Sequence, residues 1–402
     1  MTEHGTLTDA DFDRLRAPPR VTEDLPGIGG RLRARPEDFR VREIPAYDAD
    51  GRPGAHLLLT MRKRGLSTED AVRAVARALG IDRQGIGVAG LKDSDAVTEQ
   101  RISLPFAAKD ALDRARASAE DLATIAPGVE LGPATPHGNK LRRGHLHGNE
   151  FELTIRDLAV AIEAAEARAQ AKIERLAREG GLDNLFGAQR FGDGGRNILR
   201  GLQEIAGGRA RDRRKADFIV SAGQSVLFNL YLLERRDRGL MRRVLVGDIL
   251  RTARGGLFEC RDAAADQARL DAGEIELTGP MFGGKMMAGA PGTPSADLEA
   301  AILDRAGVSA SAIGAMGRKV PGTRRTLQLS PKNLQIRRVA ALELASHAPD
   351  PHNPSRLGEG LCLCFALPAG AYATQLVHEI QGPHDPDPAD ADPPGSAGSA
   401  AT

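Results

Sequence analysis

The stretch Val88–Ser103 reads VAGLKDSDAVTEQRIS, and the rest of the chain is organised around it. It begins apolar and extended, breaks at Gly90 and becomes strand-like again over residues 101–104. A break between two extended runs predicts a strand, a tight turn and a second strand. The turn carries Asp93, and strands on both sides would place its carboxylate better than a long loop could. Asp beside Gly in a turn commonly serves only local backbone hydrogen bonds, so the pattern alone identifies no reaction.

Length and composition limit the class of protein. With 402 residues, of which 41% are hydrophobic, two packed domains are the default expectation. No apolar run reaches the length of a membrane-spanning helix, so we expect no membrane partner. Aromatic residues make up only 3% of the chain, so a base-stacking surface would depend on few side chains. The net charge of +1 is unevenly spread, because residues 383–402 are acidic and the body is basic.

The cysteines Cys260, Cys362 and Cys364 are too few and too irregular for a disulfide framework. Sparse cysteine favours a reducing, cytoplasmic setting. Cys362 and Cys364 lack a His or a further Cys at ligand spacing, so we expect no metal site. We also expect a monomer without a cofactor.

Clear strand and helix patterns flank the central stretch. Buried-type residues at Phe39, Val41 and Glu43 alternate with arginines, which predicts a strand with one basic face. Residues 67–80 predict a helix that Ser67 caps and Gly80 ends. The remaining patterns predict a strand over 56–61, helices over 107–123 and 158–179, and a half-buried strand over 151–155. Gly148-Asn149 reads as a turn before that last strand, where Asn149 could serve only its own turn.

Composition changes at Asp183, where a glycine-rich stretch begins, and residues 222–236 then predict a helix. The run Arg209–Lys215, RARDRRK, suits a phosphate backbone, although such runs are commonly only solvated surface. Near the end, residues 361–365 predict a strand, and residues 372–380 predict a helix that begins at Tyr372. We expect residues 1–30 to be flexible and residues 383–402 to be disordered.

Four separated stretches together resemble the TruD family of tRNA pseudouridine synthases. They are RARPEDF (33–39), AGLKDSDAVTEQ (89–100), GNEF (148–151) with NLFGAQRFG (184–192), and LPAGAYAT (367–374). The resemblance implies an α+β fold, in which a pseudouridine-synthase catalytic domain has a mixed, mainly antiparallel sheet. An α/β domain over 183–335 is implied as an insertion into a catalytic domain of residues 31–182 and 336–382. The two domains would face each other across a basic cleft.

The resemblance also implies an activity, the isomerisation of a uridine in tRNA to pseudouridine, typically at position 13. In the family pattern Asp93 is the nucleophile, through attack on the anomeric carbon or through a glycal route. Arg33 matches a basic position, commonly Lys, and would keep Asp93 ionised. The residues implied in substrate binding are Phe39, Asn149, Tyr372, which would stack on the target base, and Lys92. Phe39 could equally be a core residue of its strand.

Two other functions compete with this interpretation. A non-catalytic RNA-binding protein would share the basic surface but would have no need of the carboxylate in the Lys92-Asp93 pair. A hydrolase could use Asp93 together with Asp95, but no second placed acid or metal cluster supports it. The intact Asp93, Asn149 and Tyr372 favour the isomerase.

Overall fold

The structure is a computed structural model that describes residues 7–116, 121–207, 213–343 and 356–383, without the side chains of residues 189, 193 and 213–217. Its contacts divide the chain into two compact units. Among the described residues, unit 1 runs up to Glu23 and from Arg175 to Ser330. Unit 2 runs from Asp24 to Glu174 and onward from Pro331. The sequence placed the insertion at 183–335, a few residues later at both ends.

The described residues form nineteen strands and ten α-helices. The strands are β1 (Arg31–Leu32), β2 (Phe39–Pro45), β3 (His56–Arg64), β4 (Gly87–Val88), β5 (Val97–Pro105), β6 (Ala123–Ala126), β7 (Val129–Leu131), β8 (Thr135–His137), β9 (Leu146–Arg156), β10 (Leu182–Asp183), β11 (Ile249–Thr252), β12 (Leu257–Glu259), β13 (Ile275–Met281), β14 (Thr323–Thr326), β15 (Gln328–Leu329), β16 (Lys332–Val339), β17 (Leu342–Glu343), β18 (Arg356–Leu357) and β19 (Gly360–Pro368). The helices are α1 (Asp9–Arg16), α2 (Thr68–Leu79), α3 (Lys109–Ala115), α4 (Ile162–Glu179), α5 (Asn197–Ile205), α6 (Arg213–Asp237), α7 (Ala263–Asp271), α8 (Pro294–Arg305), α9 (Ala310–Ala315) and α10 (Ala373–Gln381).

Unit 2 is built on a large sheet with the strand order β16-β19-β9-β2-β5-β3-β7-β6. Strands β1, β4 and β8 attach to β9, β5 and β3. Among the described pairings of this sheet, β2 with β5 is parallel and the others are antiparallel. The expectation of a mixed, mainly antiparallel sheet is therefore confirmed.

The alternation in β2 is as the sequence predicts, with Phe39, Val41 and Glu43 buried and the two arginines exposed. Helix α2 covers the part of the sheet formed by β3 and β5, where its Val75 and Leu79 pack on the buried side chains of those strands. Ser67 caps this helix by accepting the N–H of Asp70, and Gly80 ends it in a left-handed conformation. Both signals read from the sequence are confirmed.

Two local predictions need correction. Of the helix expected over 107–123, the described residues form α3, and at Ala123 the chain is already extended in β6. Gly148 and Asn149 do not form a turn but lie inside β9. A Cβ atom at Gly148 would lie 2.3 Å from the carbonyl oxygen of Leu367, so glycine allows β19 to approach closely there. Within the segment expected to be flexible, α1 is capped by Thr8 and buries Leu15.

Unit 1 combines a four-stranded sheet, in the order β12-β11-β13-β14, with helices α5 to α9. Its core centres on α6, whose Leu227, Phe228 and Tyr231 are fully buried. Two buried ion pairs, Arg235 with Asp248 and Arg324 with Glu299, lie within this unit. None of the helices in the described ranges is long and apolar enough to cross a membrane. The acidic tail from residue 384 and the side chains of the run Arg209–Lys215 fall outside the described residues.

Candidate active site

Strand register brings the candidate residues of unit 2 to one face of the large sheet. Glu43 of β2 lies opposite Asn149 of β9, and Asn149 lies opposite Leu367 of β19. Further along the same face, Lys63 of β3 lies opposite Thr98 of β5, and Thr98 lies opposite Val41 of β2. Directly paired residues share a face of a sheet, so this face collects polar groups from four neighbouring strands.

The loop of residues 89–96, here called the Asp93 loop, is held at three of its peptide groups. Gln100 Nε2 donates to the carbonyl of Gly90 at 3.1 Å. The N–H of Lys92 donates to Thr68 Oγ1 at 2.8 Å. Lys63 Nζ donates to the carbonyl of Asp93 at 2.5 Å. The anchors belong to β5, α2 and β3, so three rigid elements hold the backbone of the loop in position.

The carboxylate of Asp93 faces outward, and its side chain is 55% exposed. Arg33 Nη2 lies 3.5 Å from Asp93 Oδ2. The guanidinium carbon of Arg33 also lies 4.3 Å from the centroid of the Phe39 ring, within the range of a cation–π contact. A carboxylate next to a guanidinium and open to solvent can be reached by a large substrate.

Arg33 has a backbone φ of 59°, in the left-handed region that side-chain-bearing residues rarely adopt. Such a conformation costs on the order of 1–3 kcal/mol and persists where its surroundings impose it. Here it immediately follows β1, which is paired with β9. From this position the Arg33 guanidinium reaches Asp93.

Phe39 is 1% exposed and lies beneath Arg33, so in the structure it supports that guanidinium from within the core. The neighbouring Asp38 is also buried, and its carboxylate accepts from Arg156 Nε at 2.9 Å. This pair fastens the start of β2 to the end of β9. Part of the RARPEDF stretch is therefore structural.

Lys92 points into the protein. Its Nζ lies 2.7 Å from Asn149 Oδ1 and 2.9 Å from Glu43 Oε2, and the Lys92 and Glu43 side chains are 4% and 1% exposed. Glu43 Oε1 in turn accepts the N–H of Arg101 at 3.1 Å. Because Asn149 accepts through Oδ1, its NH₂ group is turned to serve as a donor. The sequence placed Lys92 among the substrate contacts, and the structure places its ammonium between Asn149 and Glu43.

Tyr372 is the residue before α10, and its side chain is among the exposed aromatic groups of the described chain, at 45%. It follows the end of β19, where Leu367 lies opposite Asn149 and Pro368 lies opposite Gly148. The N–H of Ala369 then donates to the carbonyl of His147 at 3.0 Å, which holds the chain leaving β19 close to β9. An exposed ring a few residues from the partner of Asn149 is available for stacking.

Lys63 is a site residue that the sequence reasoning missed. It is fully buried, and its ammonium lies directly under the Asp93 loop. Burial lowers the pKa of Lys63 to about 8, against the attraction of Asp93, which raises it. The signal was present, because Leu57, Leu59 and Met61 continue with the same two-residue period to position 63.

No group of three His, Cys, Asp or Glu side chains within the described ranges could hold a metal ion. The sulfur atoms of Cys362 and Cys364 lie 3.7 Å apart and are not joined in a disulfide. Burial raises the pKa of the Cys364 thiol to about 11, so this thiol stays protonated at neutral pH.

A family model described as tRNA pseudouridine synthase D (TruD) matches residues 20–203 and 210–380. The chain belongs to the TruD family. A relative named tRNA pseudouridine synthase D from Anaeromyxobacter dehalogenans is 42% identical over 93% of this chain and 99% of its own. Another relative of that name, from Thermus thermophilus, is 37% identical over 90% of this chain and 91% of its own.

A crystal structure of a putative tRNA pseudouridine synthase D (TruD) from Methanosarcina mazei has a similar fold, with a TM-score of 0.70. The alignment covers 93% of this chain and 98% of that one at 22% identity, so it bears on the fold alone. The TruD fold expected from the four sequence stretches is confirmed.

Proposed function

We propose that this protein is a tRNA pseudouridine synthase that converts the uridine at position 13 of tRNA to pseudouridine. One observation carries the proposal in physical terms. The carboxylate of Asp93 is exposed on a loop whose peptide groups are held by three separate elements, and a guanidinium lies beside it. The proposed site residues all belong to unit 2, so one chain suffices, and we expect a cytoplasmic monomer.

The reaction conserves atoms and electrons. The bond between N1 of uracil and C1′ of ribose breaks, a bond between C5 and C1′ forms, a proton leaves C5 and a proton is taken up at N1. No net oxidation occurs, so no redox cofactor enters the balance. Asp93 would act at the sugar, by attack at C1′ or by taking the proton at C2′ in a glycal route. Arg33 would keep the carboxylate ionised as the substrate excludes water.

The turning uracil has to be held while it is detached from the sugar. Tyr372 would stack on the base, and the NH₂ group of Asn149 would donate to one of its carbonyl oxygens. Lys92 and Lys63 would not touch the substrate. Lys92 would orient Asn149, and Lys63 would hold the Asp93 loop from below.

The test is to incubate the purified protein with unmodified tRNA transcripts and to map pseudouridine at single-nucleotide resolution. We expect one modified position, nucleotide 13. Binding without modification would favour the RNA-binding alternative. Release of free uracil would favour the hydrolase.

A paired substitution tests the base contact. Tyr372→Ala should lower kcat/KM about tenfold to a hundredfold, because stacking on an aromatic ring contributes roughly 1–3 kcal/mol. Tyr372→Phe keeps the ring and should stay near the wild-type value. Equal losses in both variants would show that the hydroxyl, rather than stacking, is what the site uses.

A further inference from the structure

Unit 2 contains a concave site whose lining residues differ from the residues of the Asp93 site. Its volume is about 520 Å³, and it is lined by Tyr47, His137, Asn139, Lys140, Arg142 and His145. This volume lies in the range of small-molecule and cofactor sites, which suits a group as large as one nucleotide.

The aromatic floor of this cleft is held by side-chain contacts. The Tyr47 ring lies 5.5 Å from the His137 ring with an interplanar angle of 22°, and its hydroxyl lies 2.7 Å from His145 Nδ1. His137 is buried, and its Nδ1 lies 3.2 Å from Asp50 Oδ1. Tyr47 itself is 36% exposed. The ring is thus fixed by its neighbours while part of it faces the cleft, as a stacking platform requires.

The rim is basic. Arg142 is exposed, and the ammonium of Lys140 is anchored by donating to the carbonyl of Gln84. An ammonium has three donors, so this bond leaves Lys140 able to donate to a phosphate. The residues that line the cleft include no carboxylate. Cations around an aromatic floor suit a nucleotide, whereas an acidic peptide would not use the stacked rings.

The cleft adjoins the Asp93 site through two strands. Tyr47 comes four residues after Glu43 of β2, and His145 comes four residues before Asn149 of β9. The two segments stay together, since the N–H of Ala46 donates to the carbonyl of His145 at 3.4 Å. Tyr47 lies two residues beyond the end of β2 and His145 one residue before the start of β9, so each four-residue segment spans at most about 14 Å. A nucleotide near the target in the same RNA strand can cover that distance.

We propose that this cleft is a second nucleotide site, in which the base of a residue flanking the target uridine stacks on Tyr47 while its phosphate contacts Lys140 and Arg142. The proposal rests on the proposed function, because it takes the RNA substrate as the ligand. The RNA strand would thus be bound on one side of the target while the target uridine reacts at Asp93.

Binding measurements on the full-length protein test the basic rim. A fluorescently labelled, unmodified tRNA transcript is titrated at several KCl concentrations. The double variant Lys140→Ala/Arg142→Ala should weaken binding about tenfold and reduce the slope of log K against log salt by about 0.7, the value for one phosphate contact on a single strand. The control Arg77→Ala removes an exposed arginine at the end of α2 and should change neither value. Equal behaviour of the rim variant and the control would overturn the proposal.

A photocrosslink locates the RNA directly. Transcripts carry 4-thiouridine at the positions on either side of the target, and crosslinked peptides are identified by mass spectrometry. We expect crosslinks to peptides that contain Tyr47 or residues 137–145, and their loss in Tyr47→Ala with retention in Tyr47→Phe. Crosslinks confined to other parts of the chain would overturn the proposal.

These results separate this proposal from the proposed function. A wild-type protein that crosslinks through the cleft but forms no pseudouridine would refute the function and keep the cleft. A wild-type protein that forms pseudouridine, with a Lys140→Ala/Arg142→Ala variant whose tRNA binding is unchanged, would keep the function and refute the cleft.

Discussion

The two units each contain a prominent charged group, and they treat it in opposite ways. In unit 1 the guanidinium of Arg235 is fully buried and donates to both oxygens of Asp248, at 2.7 and 3.2 Å, and to the hydroxyl of Tyr231 at 3.1 Å. It also donates to the carbonyls of Leu240 and Arg243. In unit 2 the carboxylate of Asp93 is more than half exposed, with Arg33 at 3.5 Å.

The difference separates charges that stabilise the fold from charges that remain available for chemistry. Arg235 has its donors committed to the protein, so it has no capacity left for a substrate. Asp93 is instead held through the backbone of its loop, which leaves its carboxylate oxygens accessible. A reactive group can thus be fixed in place without being saturated.

The largest expected effect on stability is in unit 1. Arg235→Met would leave Asp248 buried without its cation, and this should lower the free energy of unfolding of unit 1 by about 3–5 kcal/mol. Urea unfolding followed by circular dichroism measures the change. The activity of the remaining folded protein should be unaltered. A change below about 1 kcal/mol would contradict the assignment of this pair as structural.

Lys92 is the intermediate case, a buried charge that supports a site residue. Lys92→Met should lower the free energy of unfolding by about 3 kcal/mol, the lower end of the range because Glu43 keeps the N–H of Arg101. It should also lower kcat/KM, since Asn149 loses the group that orients it. The control Lys109→Met removes an exposed lysine of α3 and should change neither quantity. Full activity in Lys92→Met would remove Lys92 from the site.

The buried charge of Lys63 should make the stability of the protein depend on pH. Its pKa is lowered to about 8 by burial, whereas an unfolded lysine titrates at 10.5. The cost of burying its charge is fully present below pH 8, and it declines as pH rises to 10.5 because the unfolded chain then binds more protons. Wild-type protein should therefore gain stability relative to Lys63→Met between about pH 8 and 10.5. Thermal unfolding of both proteins across this range measures the difference, and parallel curves would contradict it.

The same titration should appear in catalysis. Above about pH 8 the ammonium beneath Asp93 becomes neutral, so wild-type kcat should fall on the alkaline side with a midpoint near that pH. Lys63→Met should be slower at pH 7, by about tenfold, and should lack this fall. An alkaline limb that persists in Lys63→Met would assign it to another group.

The smallest effect is expected for Arg33→Lys. The charge beside Asp93 is kept, but the planar contact with the Phe39 ring is lost. We expect kcat to fall about threefold, with the free energy of unfolding unchanged within about 0.5 kcal/mol. Arg33→Met, which loses the charge as well, should fall further. Equal rates for the two variants would show that the charge of Arg33 does not act on Asp93.

The sequence predicted those parts of the fold that local chemistry determines. The alternation of β2 and the two ends of α2 follow from side-chain period and capping, and both are confirmed. The turn read at Gly148-Asn149 was wrong because glycine there serves the approach of a strand that follows in the sequence some 220 residues later. Such a contact is set by tertiary pairing and leaves no local signal.

Within the site, the exposed groups were easier to find than the buried ones. Asp93 and Tyr372 stood out because a family pattern marks them, whereas Lys63 lies between two arginines in a run that reads as solvated. The two-residue period of Leu57, Leu59 and Met61 points to an inward side chain at position 63, and the register of β3 shows that it faces inward. The inward direction of Lys92 likewise depends on Glu43, whose place beside Asn149 is set by strand pairing.

The most direct test uses tRNA transcripts carrying tritium at C5 of uridine, because each isomerisation releases that hydrogen to water. Wild-type protein and Asp93→Asn are compared for tritium release, tRNA affinity and thermal unfolding. We predict that Asp93→Asn releases at least about 10⁴-fold less tritium while its affinity and unfolding temperature match those of the wild type. Tritium release by Asp93→Asn at a rate near that of the wild type would show that this exposed carboxylate is not the reacting group.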